Sequence, residues 1–263
     1  LTAFTYSGQL YGMPTTTENL GFFYNTDLVA EPPTTWDEVL EIGRILQDED
    51  LVSYAFTFCG DASYFGYPIW DSFGGYVFGR DYNNVLDVND IGLNKAGYID
   101  ALEWVVSAID EGLIPESTDY ETALTMFENG DIPFLMIGPW ELDRISDSGI
   151  SFAVAPFFPG SGHPFSAVQG FFLNSFSENI LLAQVFLTEF VATEETMMFF
   201  QEAAGRPSAF KSALAALEDP DLKAMGEAGI NAVPIPNVPE MGSVWGPWIN
   251  GLTSALTGEL TPQ

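Results

Sequence analysis

Residues 133–140 read Pro133-Phe134-Leu135-Met136-Ile137-Gly138-Pro139-Trp140, and this stretch decides the fold class. An apolar run so short, closed by Gly-Pro, is too brief for a helix and predicts a buried strand. A short helix is predicted next, so Trp140 falls just past the carboxyl end of the strand, where open α/β sheets bind ligands. Working outward, Ser151-Phe-Ala-Val-Ala155 and Gly170-Phe-Phe-Leu173 repeat the pattern of a short buried strand. Helical periods lie between and around them. Thr35 followed by Glu38 makes a capping box, after which Trp36, Val39, Leu40 and Leu46 recur on one face. Ile99, Leu102, Val105, Val106 and Ile109 mark a second helix that Gly112 stops, and Tyr120, Leu124 and Phe127 a shorter one that Gly130 stops. Leu181, Val185, Leu187 and Phe190 mark another. Strands alternating with helices predict an α/β protein. The Pro-rich Val233-Pro-Ile-Pro-Asn-Val-Pro239 cannot be helix interior and predicts an extended connection.

The chain has 263 residues, 47% hydrophobic and 14% aromatic, enough for a sizeable core and long enough for two lobes. Only 7 Lys+Arg stand against 37 Asp+Glu, a formal net charge of -30. Such a field repels nucleic acid and anionic membranes, so neither is expected as a partner. Charged residues total 17%, too few for a disordered acidic tail. A surface nearly without Lys suits a high-salt setting, in which self-repulsion is screened. The single Cys59 ends Tyr54-Ala-Phe-Thr-Phe-Cys59, which alternates like a strand, and reads as a buried, inert thiol. No apolar run is long enough to span a bilayer, and Leu1-Thr-Ala-Phe4 is neither an initiator Met nor a signal peptide; the chain is expected to be a fragment with its signal region upstream.

Enzyme motifs are scarce. The sole histidine, His163, sits in the loop Pro159-Gly-Ser-Gly-His-Pro164, where no His-based triad or metal cluster can be assembled around it. No P-loop, G-x-S-x-G, H-E-x-x-H or G-x-G-x-x-G is present. The expectation is therefore no catalytic residue, no metal and no cofactor. Paired carboxylates are the one catalytic constellation the composition permits, and among 37 acidic residues their presence carries no signal. More informative are aromatic residues placed where loops meet strand ends: Trp140, the group Tyr64, Tyr67 and Trp70 in a loop after another strand, and Trp245 with Trp248 after the Pro-rich connection, flanked by Gly and Pro. Aromatic faces with carboxylates nearby suit sugars, because a ring packs the C–H side of a pyranose while acceptors take its hydroxyls. Core packing is the alternative for each.

The order of short motifs then becomes recognisable. Tyr6-Ser-Gly-Gln-Leu-Tyr-Gly-Met-Pro14, Glu18-Asn-Leu-Gly-Phe-Phe-Tyr-Asn-Thr-Asp27 and Glu31-Pro-Pro-Thr-Thr-Trp-Asp-Glu38 open the series. Ser63-Tyr-Phe-Gly-Tyr-Pro68, Gly74-Gly-Tyr76, Thr118-Asp-Tyr120, Phe127-Glu-Asn-Gly130, Gly138-Pro-Trp140, Pro234-Ile-Pro-Asn-Val-Pro-Glu-Met241 and Trp245 follow in order. The whole chain resembles the maltose/maltodextrin-binding family, extracellular solute-binding proteins of ABC transporters, with its N-terminal portion missing. The resemblance implies an α/β periplasmic-binding-protein type II fold, two α/β lobes joined by a hinge that close on ligand, with the first lobe incomplete. Residues 1–17 and 171–218 would be the remnant of the first lobe, 18–20, 166–170 and 219–221 the hinge crossings, and 21–165 with 222–263 the second lobe.

The resemblance carries ligand contact to Glu18 at the hinge, to Tyr64, Trp140 and Trp245 as stacking aromatics, to Tyr120 near the cleft, to Asp61 and to Tyr67. Gly246 and Ile249 depart from the larger residues common after the equivalent of Trp245, leaving the exact sugar open. The implied function is a non-catalytic, extracytoplasmic receptor that hands a malto-oligosaccharide or other small α-glucoside to ABC permease subunits, touching the membrane only through a lipid anchor or the permease. The alternatives are a receptor for another oligosaccharide or a polyol, and a glycoside hydrolase acting through paired carboxylates.

Overall fold

The computed structural model describes residues 4–6, 9–83 and 85–263; Ser7 and Gly8 of the opening motif, residues 1–3 of the expected first-lobe segment and Asn84 lie outside the described residues. The strand Gly21–Asn25 runs between Phe134–Ile137 and Phe152–Ala155, antiparallel to both. Successive side chains of a strand point to opposite faces, so this sheet serves two cores. Phe22, Phe134 and Met136 face one side with Trp36 and Phe158, whereas Phe23, Leu135 and Ile137 face the other with Phe127 and Ile145. Every residue of Phe134–Ile137 is buried, which is why the octet reads as an unbroken apolar run.

A second sheet places Phe165–Phe172 between Gly12–Asn19, its antiparallel partner, and the short parallel strand Val233–Pro234. Glu18 pairs with Ala167 in this ladder, and the register slips between Pro14 and Thr16. The strand expected at Gly170 to Leu173 thus begins five residues earlier, at Phe165, because Ser166 and Gln169 add polar positions to a ladder held by backbone hydrogen bonds. Gly12–Asn19 leads through the buried Leu20 straight into Gly21–Asn25, so Glu18 stands where the two sheets join.

The capping box of Trp36–Asp48 is complete: Glu38 N–H donates to Thr35 Oγ1 at 3.2 Å and Thr35 N–H to Glu38 Oε2 at 3.2 Å. Gly112 and Gly130 both take positive φ after their helices, a conformation that costs glycine little. Three expectations need correction. Tyr54 to Cys59 is irregular rather than a strand, although Cys59 is buried and its thiol is pushed up to about 12, first by burial and then by the Glu141 carboxylate. Tyr64, Tyr67 and Trp70 lie in two one-turn helices, Ala62–Phe65 and Tyr67–Ser72, rather than in a loop. Trp245 and Trp248 belong to one long helix, Met241–Leu256, which runs through Pro247. A proline there removes a helix hydrogen bond, and burial of Met241, Trp248, Leu252, Ala255 and Leu256 along one face offsets the loss.

The stripe on Leu181, Val185, Leu187 and Phe190 does form helix, Ile180–Phe186 followed by the wider turn Leu187–Val191, yet Ile180–Phe186 buries none of its residues. Among the described residues no helix is long and apolar enough to cross a membrane.

Candidate functional site

Glu18 carries the polar contacts of the candidate site. Its Oε2 accepts from Arg206 Nε at 2.7 Å and from Gln169 Nε2 at 2.9 Å, and the ion pair is mostly buried, with side chains 17% and 20% exposed. The Arg206 guanidinium is steadied by a bond from one terminal nitrogen to the Ala204 carbonyl at 2.9 Å. Both donors share the one oxygen, Oε2. Arg206 and Gln169 escaped the sequence reading. Gly205-Arg206-Pro207 holds one of only 7 basic residues in the chain, which is a signal in itself, but its partner lies 188 positions away.

From Tyr64, the aromatic neighbour of Glu18, ring contacts run on in two directions as a continuous array. Tyr64 is half-buried, near-parallel to Phe165 at 6.2 Å and edge-on to Phe65 at 5.3 Å. Burial first, and the Glu18 carboxylate second, push the Tyr64 phenol up to about 12, so the two side chains share one neighbourhood. Phe165 meets Trp245 edge-on at 6.2 Å, and Trp245 stacks on Trp248 at 5.3 Å. In the other direction Phe65 lies 5.9 Å from Tyr120, whose hydroxyl accepts from Trp140 Nε1 at 2.7 Å and donates to Glu141 Oε1 at 2.6 Å. Tyr64, Tyr120, Trp140 and Trp245 are thereby linked in one run of contacts that passes Glu18 at Tyr64, with Phe65 and Phe165 as links that composition and period do not single out. Half-buried rings beside a carboxylate offer C–H stacking and hydroxyl acceptance together, the two needs of a pyranose.

Two expected ligand contacts are placed differently. Tyr67 is 2% exposed, its ring flat on Phe165 at 3.6 Å, and burial drives its phenol well above the ordinary tyrosine value. A ring packed in this way supports the array from beneath and exposes only its margin to the neighbouring groove. Asp61 caps Ala62–Phe65, with Oδ1 accepting from Ser63 N at 2.8 Å and Ser63 Oγ at 2.6 Å. Its carboxylate holds the turn that carries Tyr64 and borders a separate recess of about 230 Å³ with Thr57, Glu116 and Thr118.

His163 is tied to Asp71, whose Oδ2 takes both the His163 backbone N–H at 2.9 Å and Nδ1 at 2.7 Å, so this loop histidine fastens its segment to Tyr67–Ser72. Among the described residues no cluster of three or more His, Cys, Asp or Glu could hold a metal. A groove of about 420 Å³ shares Tyr67 and Phe165 with the array, and an apolar one of about 500 Å³ lies between Tyr98, Trp248 and Leu260; neither contains Glu18, Tyr64, Trp140 or Trp245.

A family profile described as bacterial extracellular solute-binding protein matches residues 1–198. The galactooligosaccharide-binding protein of Bacillus subtilis strain 168 is 27% identical over 268 residues, covering 97% of this chain and 63% of that protein. The maltotriose-binding protein of Pyrococcus abyssi is 29% identical over 254 residues, 93% of this chain and 54% of that protein. The maltodextrin-binding protein MdxE of Bacillus subtilis strain 168 is 26% identical over 275 residues, 98% of this chain and 65% of that protein. The chain spans about half to two thirds of the length of these curated relatives.

Proposed function

This chain belongs to the family of bacterial extracellular solute-binding proteins, and from that premise we propose that it captures an oligosaccharide, a malto-oligosaccharide in the first instance, for delivery to an ABC permease. Its α/β architecture is that of the type II binding-protein fold. The observation that carries the reading is the array Trp245, Phe165, Tyr64, Phe65, Tyr120 and Trp140 beside the Glu18 carboxylate. In this reading residues 18–20, 166–170 and 219–221 are hinge crossings, and Glu18 acts at the join between lobes. Closure performs the work: sugar held between two lobes favours the closed form by its differential affinity, and the permease recognises that form. The sugar leaves chemically unchanged.

A second reading, a receptor for a different oligosaccharide, is favoured by the resemblance to a galactooligosaccharide-binding protein. Calorimetry on the full-length protein with maltotriose, a galacto-oligosaccharide and a polyol separates the two. Maltotriose is expected to bind most tightly. Preference for the galacto-oligosaccharide would transfer the assignment to the second reading, and silence toward every sugar would remove both.

A further inference from the structure

Trp140 has one polar atom, its indole N–H, and that atom is already in use. The N–H donates to the Tyr120 hydroxyl at 2.7 Å, and the hydroxyl in turn donates to Glu141 Oε1 at 2.6 Å. Tyr120 opens the helix Tyr120–Glu128, while Glu141 closes the turn Pro139–Glu141 that carries Trp140. The chain of bonds therefore ties the loop after the buried strand to a neighbouring helix. Beyond Glu141 stands Arg144, 4.0 Å from its Oε2 and itself held by Glu128 at 2.6 Å and Glu121 at 2.8 Å. The guanidinium is thus fixed from two sides while it faces Glu141. From the opposite direction the benzo edge of the indole folds back onto Gly138, where a methyl group would collide with three ring carbons. Tyr120 was expected to touch sugar; its hydroxyl is instead occupied on both its donor and acceptor sides.

Resting on the sugar-binding reading, we propose that Tyr120, Glu141 and Gly138 are positioning residues that lock the Trp140 indole as a rigid stacking face with no hydrogen-bond donor to offer the ligand. An indole has no acceptor and a single donor, so Trp140 selects for an apolar C–H face and is indifferent to the hydroxyl pattern at its edge. Because each link polarises the next, the chain is stiffer than separate bonds. A ring held in its bound orientation loses little freedom when sugar arrives, and a loosened one must be ordered by the ligand. Burial and the Glu141 carboxylate keep the Tyr120 phenol well above its ordinary value, so the hydroxyl remains a donor.

The test uses the full-length protein, with maltotriose as probe and two readouts: affinity by calorimetry, and solvent exchange of the Trp140 indole proton by NMR without sugar. Tyr120→Phe is expected to weaken binding by roughly three- to tenfold and to speed indole exchange. In a Trp140→Ala background the same change should cost nothing more. Glu141→Gln, whose amide oxygen still accepts from the phenol, should restore near-normal behaviour, whereas Glu141→Ala should mimic Tyr120→Phe. If Tyr120→Phe fails to fold, Glu141→Ala and Gly138→Ala displace the ring with Tyr120 intact and are read in the same way. An equal cost of Tyr120→Phe in both backgrounds would show that Tyr120 touches sugar itself and overturn the proposal, as would unchanged exchange and affinity. Faster exchange in a protein that binds no sugar would uphold the locking of the ring and reject the sugar reading instead.

Discussion

Replacing Trp140 or Trp245 with Ala is expected to weaken maltotriose binding by about 1 to 3 kcal/mol, roughly ten- to hundredfold, with the fold retained. Each ring is half-buried: one part packs against the protein and the rest remains open beside the array. The two are not equivalent in the free protein. Trp140 is held at its edge by Tyr120 and Gly138 and packs against the margins of both cores, so its removal also costs some packing. Trp245 also stacks on Trp248 and touches Phe165, so its truncation lowers stability as well as affinity. Thermal melting beside calorimetry separates the effects. Unchanged affinity in both variants would return these rings to simple packing.

The second large effect concerns the chain studied by itself. Phe172 is 63% exposed, Phe176 93% and Leu181 78%, and Phe186, Phe190 and Phe199 are exposed alongside them. A surface this apolar in a single stretch is prone to self-association and to binding hydrophobic dyes. The isolated chain is therefore expected to enhance the fluorescence of such a dye strongly and to elute as oligomers. Gel filtration and dye fluorescence check this together. A monomeric, dye-silent chain would show that these side chains are covered in solution.

Much of the framework was legible from local chemistry. Phe134–Ile137 and Phe152–Ala155 announce themselves because a fully covered strand must be apolar throughout, and the Thr35 and Glu38 capping box needs only residues three apart. Phe165–Phe172 was half hidden, since an exposed position such as Gln169 leaves no apolar run to read. Met241–Leu256 was obscured by Gly246-Pro247, whose local preference is overridden by the face that Trp248 and Leu252 bury. In the site, aromatic identity was legible and aromatic orientation was not. Tyr64 and Tyr67 lie three residues apart, in one-turn segments too short to show a period, yet Phe165 covers Tyr67 while Tyr64 stays open toward Glu18. The pairing of Arg206 with Glu18 and of Tyr120 with Glu141 depends on tertiary approach, which no spacing along the chain encodes.

The central claim is that this array captures a sugar and releases it unaltered. The most direct measurement is incubation of the full-length protein with maltotetraose, following intrinsic tryptophan fluorescence during titration and analysing the sugar afterwards. Saturable change in the fluorescence, absent from the protein lacking both Trp140 and Trp245, with maltotetraose recovered intact, is the predicted result. Release of glucose, maltose or maltotriose would contradict it and make the protein a hydrolase.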